Sequence, residues 1–318
     1  MSLFFVHIPK TAGTSFRQGA EKYFTPERIV YDYGVNSNAT SPFVKKSLHG
    51  DQPDFWQFKQ ALDNPAMIVG HVTIARFVSL WGAGNTVTFL REPLQRIASE
   101  YAHFVRNMDY QGSFKEFYSG RGMRNRQRRA LYGVNLESIG FIGLTERYSE
   151  SLEMLNDRFA TRIPEREDNQ GKSRLEDEYE FDEEDLVELR KLNRRDIELY
   201  QYALALFDSR YAMFKSNQPW AHACLVEATT EGGSGWAWWA DERDAPLEVE
   251  LWVNGELTST ARAVKFRQEL CSVLPPRGGY VGFHLPLKLS PLDKVQCRVA
   301  ATGQWFPPSP RLIEETKT

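Results

Sequence analysis

The sequence predicts an α/β protein in which a parallel sheet flanked by helices is followed by a small all-β domain. Three observations carry that expectation. Short apolar runs at 3–8, 66–69 and 85–90 each break off at a polar or glycine-containing turn, and helical or irregular segments separate them. That is the pattern of strands in a helix-covered parallel sheet. Composition then shifts near Ser216, beyond which lie six of the eight tryptophans and many turn signals. In that later part Leu247–Val253 alternates strictly and runs into Asn254-Gly255, a two-residue hairpin signal. A chain of 318 residues is long for one core, and the shift divides it into 1–216 and 217–318.

Bulk properties exclude several classes. With 42% hydrophobic and 25% charged residues the composition is that of a globular protein, and a net charge of −3 gives no global attraction to nucleic acid or anionic membrane. Attraction for an anionic ligand must be local. No run approaches the roughly 18 apolar residues of a membrane span. Cys224, Cys271 and Cys297 fall late and without CxxC spacing, so neither a zinc site nor a disulfide framework is expected, and a reducing compartment is the simpler expectation.

The first element is the most informative. Leu3–Ile8 reads as a buried strand, Pro9-Lys10-Thr11-Ala12-Gly13-Thr14-Ser15 as a small-residue turn, and Phe16–Phe24 as a helix. Such a passage aims backbone N–H groups and the positive end of a helix dipole at one point, which suits a phosphate or sulfate. Lys10 adds a charge, the Thr11, Thr14 and Ser15 hydroxyls add donors, and Gly13 admits close approach of the backbone. The order differs from the nucleoside triphosphate loop GxxxxGK[ST], since here the lysine precedes the glycine.

Residues 25–65 lack strong periodicity and read as loop with short helical pieces, among them Asp54–Leu62. Ala66–Val69 is a second strand, ending in Gly70-His71-Val72, and Asn85–Leu90 a third, ending in Arg91-Glu92-Pro93. Ligands of parallel sheets bind beyond the carboxyl ends of the strands, so Lys10, His71 and Arg91 are expected at one edge. Pro93 suits the first turn of a helix. On that helix Leu94, Ile97, Ala98, Tyr101, Phe104 and Val105 form the apolar stripe, and Ser99 lies off it.

The run through Lys10 resembles the 5′-phosphosulfate loop of sulfotransferases, in the branch whose strand reads hhHhPKTAGTS. That branch includes the heparan and dermatan (uronyl) 2-O-sulfotransferases, the chondroitin and HNK-type carbohydrate sulfotransferases and bacterial relatives. Thr88–Tyr101 resembles the family's 3′-phosphate motif, in which an arginine and a serine, here Arg91 and Ser99, hold the 3′-phosphate. Asn125–Gly133 is similar to the segment NxQTRxLxG, with Arg129 at the family arginine and Arg128 replacing its threonine. Ile142–Leu152 matches the strand-to-helix passage hGlTErhxeSl. The resemblance covers about the first 210 residues with four ordered motifs. It implies a P-loop-like sulfotransferase fold and transfer of a sulfuryl group from 3′-phosphoadenosine 5′-phosphosulfate (PAPS) to a hydroxyl of a glycan or lipid-linked saccharide, leaving 3′-phosphoadenosine 5′-phosphate. Lys10 would stabilise the leaving phosphate and His71, in a GHV motif like that of the uronyl enzymes, would be the general base. Lys10, Thr11, Ala12, Gly13, Thr14, Ser15, Arg91, Ser99 and Arg129 would hold the nucleotide, with no metal. Eukaryotic relatives carry a Golgi anchor, whereas here the first strand begins almost at Met1. The expectation is a bacterial cytoplasmic enzyme, or a trimmed piece of a larger protein.

Other stretches leave alternatives open. Arg121, Arg124, Arg126, Arg128 and Arg129 are either a groove for an anionic glycan or the nucleotide phosphates, or a solvated face. His7 reads as structural, inside its strand, while His49 and His103 are weaker candidates for the base. Asn169–Ser173 sits where relatives place a loop that closes on the nucleotide. Glu176–Asp185 precedes a helix expected at Leu186–Leu206. Trp236–Trp238, Tyr280–Leu287 and Val295–Ala301 add strands to a β-sandwich over about 218–310, resembling a module appended to bacterial glycan-modifying enzymes. There Trp236, Trp238 and Trp239 are either a sugar-stacking platform or core. A nucleotide-dependent phosphotransferase would need a GK[ST] lysine and an acid for Mg²⁺ at a strand end, and a glycan-binding protein on a transferase scaffold would not need Lys10, His71, Arg91 and Ser99.

Overall fold

A computed structural model describes residues 2–165, 179–241, 243–290 and 292–307. The Asn169–Ser173 stretch and the first residues of the acidic run lie outside them. Contacts divide the chain into two compact units: Met1–Trp81, Asn85–Val134 and Phe141–Ala203 form one; Gly82–Gly84, Asn135–Gly140 and Leu204–Thr318 form the other.

The first unit is built on five parallel strands, β1 (Leu3–Val6), β2 (Ile29–Asp32), β3 (Met67–Gly70), β4 (Thr86–Leu90) and β5 (Phe141–Leu144), in the order β2-β3-β1-β4-β5. β1, β3, β4 and β5 are buried along their whole length, which is why they read as apolar runs without alternation. Register sets Val6 opposite both Gly70 of β3 and Thr88 of β4. The chain fills one side of β1 first, placing the edge strand β2 and then β3 between it and β1, and afterwards adds β4 and β5 on the other side, so the crevice at the carboxyl edge opens beside β1. Helices α1 (Gly13–Phe24), α2 (Pro42–Leu48), α3 (Phe55–Ala61), α4 (Val78–Trp81), α5 (Pro93–Asn107), α6 (Phe114–Ser119), α7 (Arg126–Ala130), α8 (Tyr148–Phe159) and α9 (Glu183–Leu192) follow, and α10 (Arg194–Lys215) runs across the boundary of the units.

Two expectations are corrected. The stretch 25–65 contains the strand β2, whose four residues carry too little alternation to stand out, and α2 beside the expected α3. The single helix expected at Leu186–Leu206 is two. Asn193 breaks it although neither glycine nor proline is present, because its side chain is drawn to the Asn125 N–H (2.9 Å).

The second unit holds an antiparallel sheet of β6 (Ala221–Thr229), β7 (Gly232–Trp239), β10 (Lys265–Phe266) and β11 (Tyr280–Pro286), and a second of β8 (Glu248–Val253), β9 (Glu256–Arg262) and β12 (Val295–Val299). Inward residues of both, among them Leu225, Val249, Leu251, Phe283 and Val299, share one apolar cluster. Asn254 and Gly255 take positive φ and turn β8 into β9 as the dipeptide predicted. Trp236, Trp238 and Trp239 are 0%, 4% and 7% exposed, so they are core and offer no stacking platform. The three cysteines are free. Among the described residues no helix is long and apolar enough to cross a membrane.

Gly70 is fixed by the sheet. A Cβ there would lie 1.9 Å from the Asp32 carbonyl oxygen of β2, a backbone atom that cannot yield without parting the strands. We expect Gly70→Ala to lose about 1–3 kcal/mol in urea denaturation. Gly122→Ala, where nothing stands within 4 Å, is expected to stay within about 0.5 kcal/mol of the parent.

Candidate active site

The turn after β1 is shaped by its own backbone. His7 N–H donates to the Gly70 carbonyl (3.0 Å), extending the β1–β3 ladder by one residue, and the Thr11 hydroxyl donates to the Ile8 carbonyl (2.9 Å). Thr11 is fully buried. Its hydroxyl therefore closes the turn and is not the free donor expected from the sequence. Lys10 (φ 68°) and Ala12 (φ 62°) both adopt the left-handed region, at about 1–3 kcal/mol each for a residue with a side chain. Two such residues so close together curl the backbone into a concavity that turns N–H groups toward one point.

α1 starts there without a side-chain cap and without an acidic residue in its first turn. The first turn's N–H groups lie outside the helical ladder, and the positive end of the dipole faces the turn. Gly13 is required for a specific reason. A Cβ at that position would lie 2.2 Å from Cδ2 and 2.5 Å from Nε2 of His7, so the imidazole occupies the space a side chain would take. Thr14 is exposed and Ser15 half-buried.

Lys10 is half-buried and makes no hydrogen bond or ion pair among the described residues. Burial pushes its ammonium below the ordinary 10.5, the nearby Arg91 and Arg106 charges push the same way, and Glu100 opposes them. Arg91 follows β4. Its main chain is clamped by the buried Gln127, whose Oε1 accepts from Arg91 N–H (3.0 Å) and whose Nε2 donates to the Arg91 carbonyl (2.9 Å). The Leu90 carbonyl before it accepts from the Thr145 hydroxyl (2.9 Å). The Arg91 guanidinium is left without a carboxylate partner among the described residues, and burial lowers its pKa.

His71 follows β3; the residue is exposed as a whole, but its ring packs against those of His7 and Tyr33. Nδ1 lies 2.6 Å from the His7 carbonyl oxygen. A carbonyl only accepts, so Nδ1 carries the proton and Nε2 keeps its lone pair in the neutral ring. Burial lowers the His71 pKa from 6.5, and the bond to His7 opposes the shift. The His7 ring stands 4.4 Å from that of His71, and Tyr33 presents an edge to it at 4.7 Å while holding His7 Nδ1 through its hydroxyl (2.9 Å). The other histidines are placed differently. His49 Nε2 bonds the buried Asp32 (2.8 Å), which also holds Arg76 (2.6 Å); His103 Nδ1 bonds the Asn107 amide (2.9 Å).

Helix α5 joins these groups. Its first two turns are buried all round, so Ser99 is only 9% exposed; lying off the apolar stripe does not put it in solvent. Its hydroxyl makes no hydrogen bond among the described residues. Glu100, 2% exposed, binds the fully buried Arg96 (2.6 Å) and Arg126. Its charge reaches Lys10, His71 and His103 alike. Lys10, His71 and Arg91 therefore stand on three adjacent strand ends, with Glu100 and Ser99 on the helix beside them.

The basic run does not form one open groove. Arg124 donates to the Ser119 carbonyl, Arg129 to the Gly122 carbonyl (2.5 Å), and Arg128 lies over the Tyr132 ring. Only Arg126 is tied to this edge, through Glu100 and its charge on His71. The sequence pointed to the arginines here, but Asn125, Gln127, Asn193 and Asp196 do the positioning. Asp196 accepts from the Gln127 and Arg128 N–H groups (3.1 and 2.7 Å), and Asn125 interlocks with Leu192, Asn193 and Asp196. The only sequence signal for them is the Asn and Gln of the segment similar to NxQTRxLxG. Among the described residues no group of His, Cys, Asp and Glu converges as metal ligands.

His7 is 5% exposed, and burial, with the His71 and Arg17 charges behind it, lowers its pKa from 6.5 to about 2. The unfolded chain then binds a proton that the folded chain refuses, so stability from this group is full above pH 6.5 and is lost as pH falls toward 2. We expect a loss of about 1.4 kcal/mol per pH unit below 6.5. Urea denaturation at pH 7, 6 and 5 checks it: His7→Phe should show the shallower slope, and equal slopes would contradict a neutral His7.

No protein-family model matches the chain, and no curated protein matches it. Among solved structures, a sulfotransferase from Alicyclobacillus acidocaldarius superimposes with a TM-score of 0.35 at 14% identity, over 69% of this chain and 96% of that one. A superposition that loose assigns neither substrate nor site.

Proposed function

We propose that the chain is a PAPS-dependent sulfotransferase acting on a hydroxyl of a carbohydrate acceptor, of the bacterial kind related to the uronyl 2-O branch. Residues 1–216 would be catalytic and 217–318 an accessory β-sandwich. One observation carries the proposal: Lys10 and Arg91, half-buried cations that make no ion pair among the described residues, stand near an uncapped helix start, and a neutral imidazole nitrogen stands at the next strand end. That arrangement suits an anion at two positions and a proton acceptor beside them.

The N–H groups of residues 11–15 and the Lys10 ammonium would hold the 5′-phosphosulfate. Arg91 offers a planar fork to the 3′-phosphate and Ser99 a neutral donor. Arg126 is the member of the basic run that we assign to the acceptor. In the reaction the bond from sulfur to the bridging phosphate oxygen breaks, and a bond from sulfur to the acceptor oxygen forms. The acceptor proton goes to His71 Nε2, and the leaving bisphosphate keeps the electron pair. Lys10 and the loop N–H groups stabilise the charge gathering on the leaving oxygen. The Nδ1–H bond to the His7 carbonyl keeps Nε2 as the accepting nitrogen.

Transfer of labelled sulfuryl from PAPS to a panel of glycans tests the proposal. Lys10→Ala should lose both donor affinity and turnover, and Arg91→Ala mainly affinity. His71→Ala should keep donor affinity and lose about 10²–10⁴ in rate; unchanged turnover would remove it from the mechanism. The sign of the pH dependence follows from the two shifts. A base must be unprotonated, so the acid limb of kcat/KM should lie below 6.5, and Lys10 must be charged, so the alkaline limb should lie below 10.5. An acid limb above 6.5 would contradict the assignment.

A further inference from the structure

The two nitrogens of the His7 ring meet different surroundings. Nδ1 lies 2.9 Å from the Tyr33 hydroxyl. Nε2 makes no hydrogen bond among the described residues, although His7 is only 5% exposed, and it is not sealed from solvent. The ring edge that carries it lies against the start of α1, since a Cβ on Gly13 would stand 2.2 Å from Cδ2 and 2.5 Å from Nε2. That start has neither a side-chain cap nor an acidic residue in its first turn. An unpartnered polar atom of a buried ring therefore faces the same turn that the left-handed Lys10 and Ala12 curl.

Tyr33 decides which nitrogen carries the proton. Its hydroxyl has no other partner among the described residues. Were it to accept from Nδ1–H, its own proton would lack an acceptor, and Nε2 would be a lone pair that no backbone N–H reaches. When it donates to Nδ1 instead, both groups are satisfied and the ring proton sits on Nε2. An imidazolium would carry a proton there as well. Tyr33 is itself fixed: its N–H donates to the buried Thr40 hydroxyl (3.0 Å), which donates to the Gly34 carbonyl (2.7 Å). Its ring stands edge-on to those of His7 and His71 at 5.8 and 4.7 Å, and Phe5 stacks on His7 at 5.4 Å. The imidazole is therefore held with Nε2–H toward the turn before any ligand arrives.

We infer that His7 Nε2–H is a further donor to the tetrahedral oxyanion bound at the turn after β1, and that Tyr33 is the positioning residue that keeps this nitrogen a donor. The inference rests on the proposed sulfotransfer for one point alone, that the oxyanion belongs to an adenosine bisphosphate. An oxyanion suits the place because the groups around it, the turn's N–H groups and the Lys10 ammonium, also donate. A cation or an apolar group there would leave Nε2–H unmet, which a protein interior disfavours.

The test reads the ring nitrogens of the full chain, labelled with nitrogen-15 in its histidines, in proton–nitrogen correlation spectra at pH 7. His7 is identified by its absence from the His7→Phe spectrum. The parent should show Nε2 protonated and Nδ1 unprotonated, and added inorganic sulfate or 3′-phosphoadenosine 5′-phosphate should move the Nε2 resonance while the buried His222 stays in place. Tyr33→Phe, which removes only the hydroxyl, should move the Nδ1 resonance and weaken the bisphosphate about three- to tenfold. His7→Phe should weaken it by more than about tenfold, and His7→Gln, whose amide returns an N–H to that side of the ring, should recover part of the loss. A proton found on Nδ1 alone, a Nε2 resonance that neither anion moves, or parent-like bisphosphate affinity in His7→Phe overturns the inference. A parent chain in which sulfate moves Nε2 but the bisphosphate does not bind upholds the donor role of His7 and counts against the sulfotransfer proposal instead.

Discussion

One residue, His7, ties the site together. The His7 imidazole fills the space above Gly13, so α1 can start only where that ring lies. The backbone N–H of His7 donates to the Gly70 carbonyl, and the His7 backbone carbonyl accepts from His71 Nδ1–H. The helix start, the end of β3 and the tautomer of His71 are thereby set by a single residue. Tyr33 in turn holds the ring through its hydroxyl. Removing the imidazole would free the Gly13 position and the Tyr33 hydroxyl, while the backbone bonds to Gly70 and His71 would stay. Its burial as a neutral ring costs the protein stability in acid.

The electrostatics follow from the same packing. The chain as a whole is slightly acidic, yet the carboxyl edge of the sheet carries Lys10, Arg91, Arg106 and Arg126 with Glu100 as the buried counter-charge. Glu100 already satisfies Arg96 and Arg126. The main chain of Arg91 is held by Gln127, the Arg91 charge bears on the half-buried Lys10, and the anion proposed above would relieve that repulsion. Preorganisation of this kind is what a charge-stabilising site needs, since the donors do not have to reorient when negative charge appears.

The parts of this arrangement legible in the sequence are those dictated by local chemistry. Continuous apolar runs gave β1, β3 and β4, a proline after Arg91-Glu92 gave the start of α5, and Asn254-Gly255 gave a hairpin. What stayed hidden depends on tertiary partners. β2 is four residues whose register is imposed by β3, and the break at Asn193 comes from a side-chain bond to Asn125 across 68 residues of chain. Gln127 looked incidental among five arginines but clamps the main chain of Arg91. The arginines drew attention by charge, yet Arg124 and Arg129 turn to backbone carbonyls nearby, Arg126 to Glu100 and Arg128 to the Tyr132 ring. The tryptophans after Ser216 show the same limit: composition cannot tell a stacking platform from a core, and Trp236, Trp238 and Trp239 are core.

The central claim is that the turn after β1 and the end of β4 hold one adenosine bisphosphate. Titration calorimetry of the whole chain with 3′-phosphoadenosine 5′-phosphate, with and without Mg²⁺, and with ATP for comparison, tests it most directly. The account predicts tight bisphosphate binding that is indifferent to Mg²⁺ and lost in Lys10→Ala. No bisphosphate binding, or ATP binding that requires Mg²⁺, would contradict it.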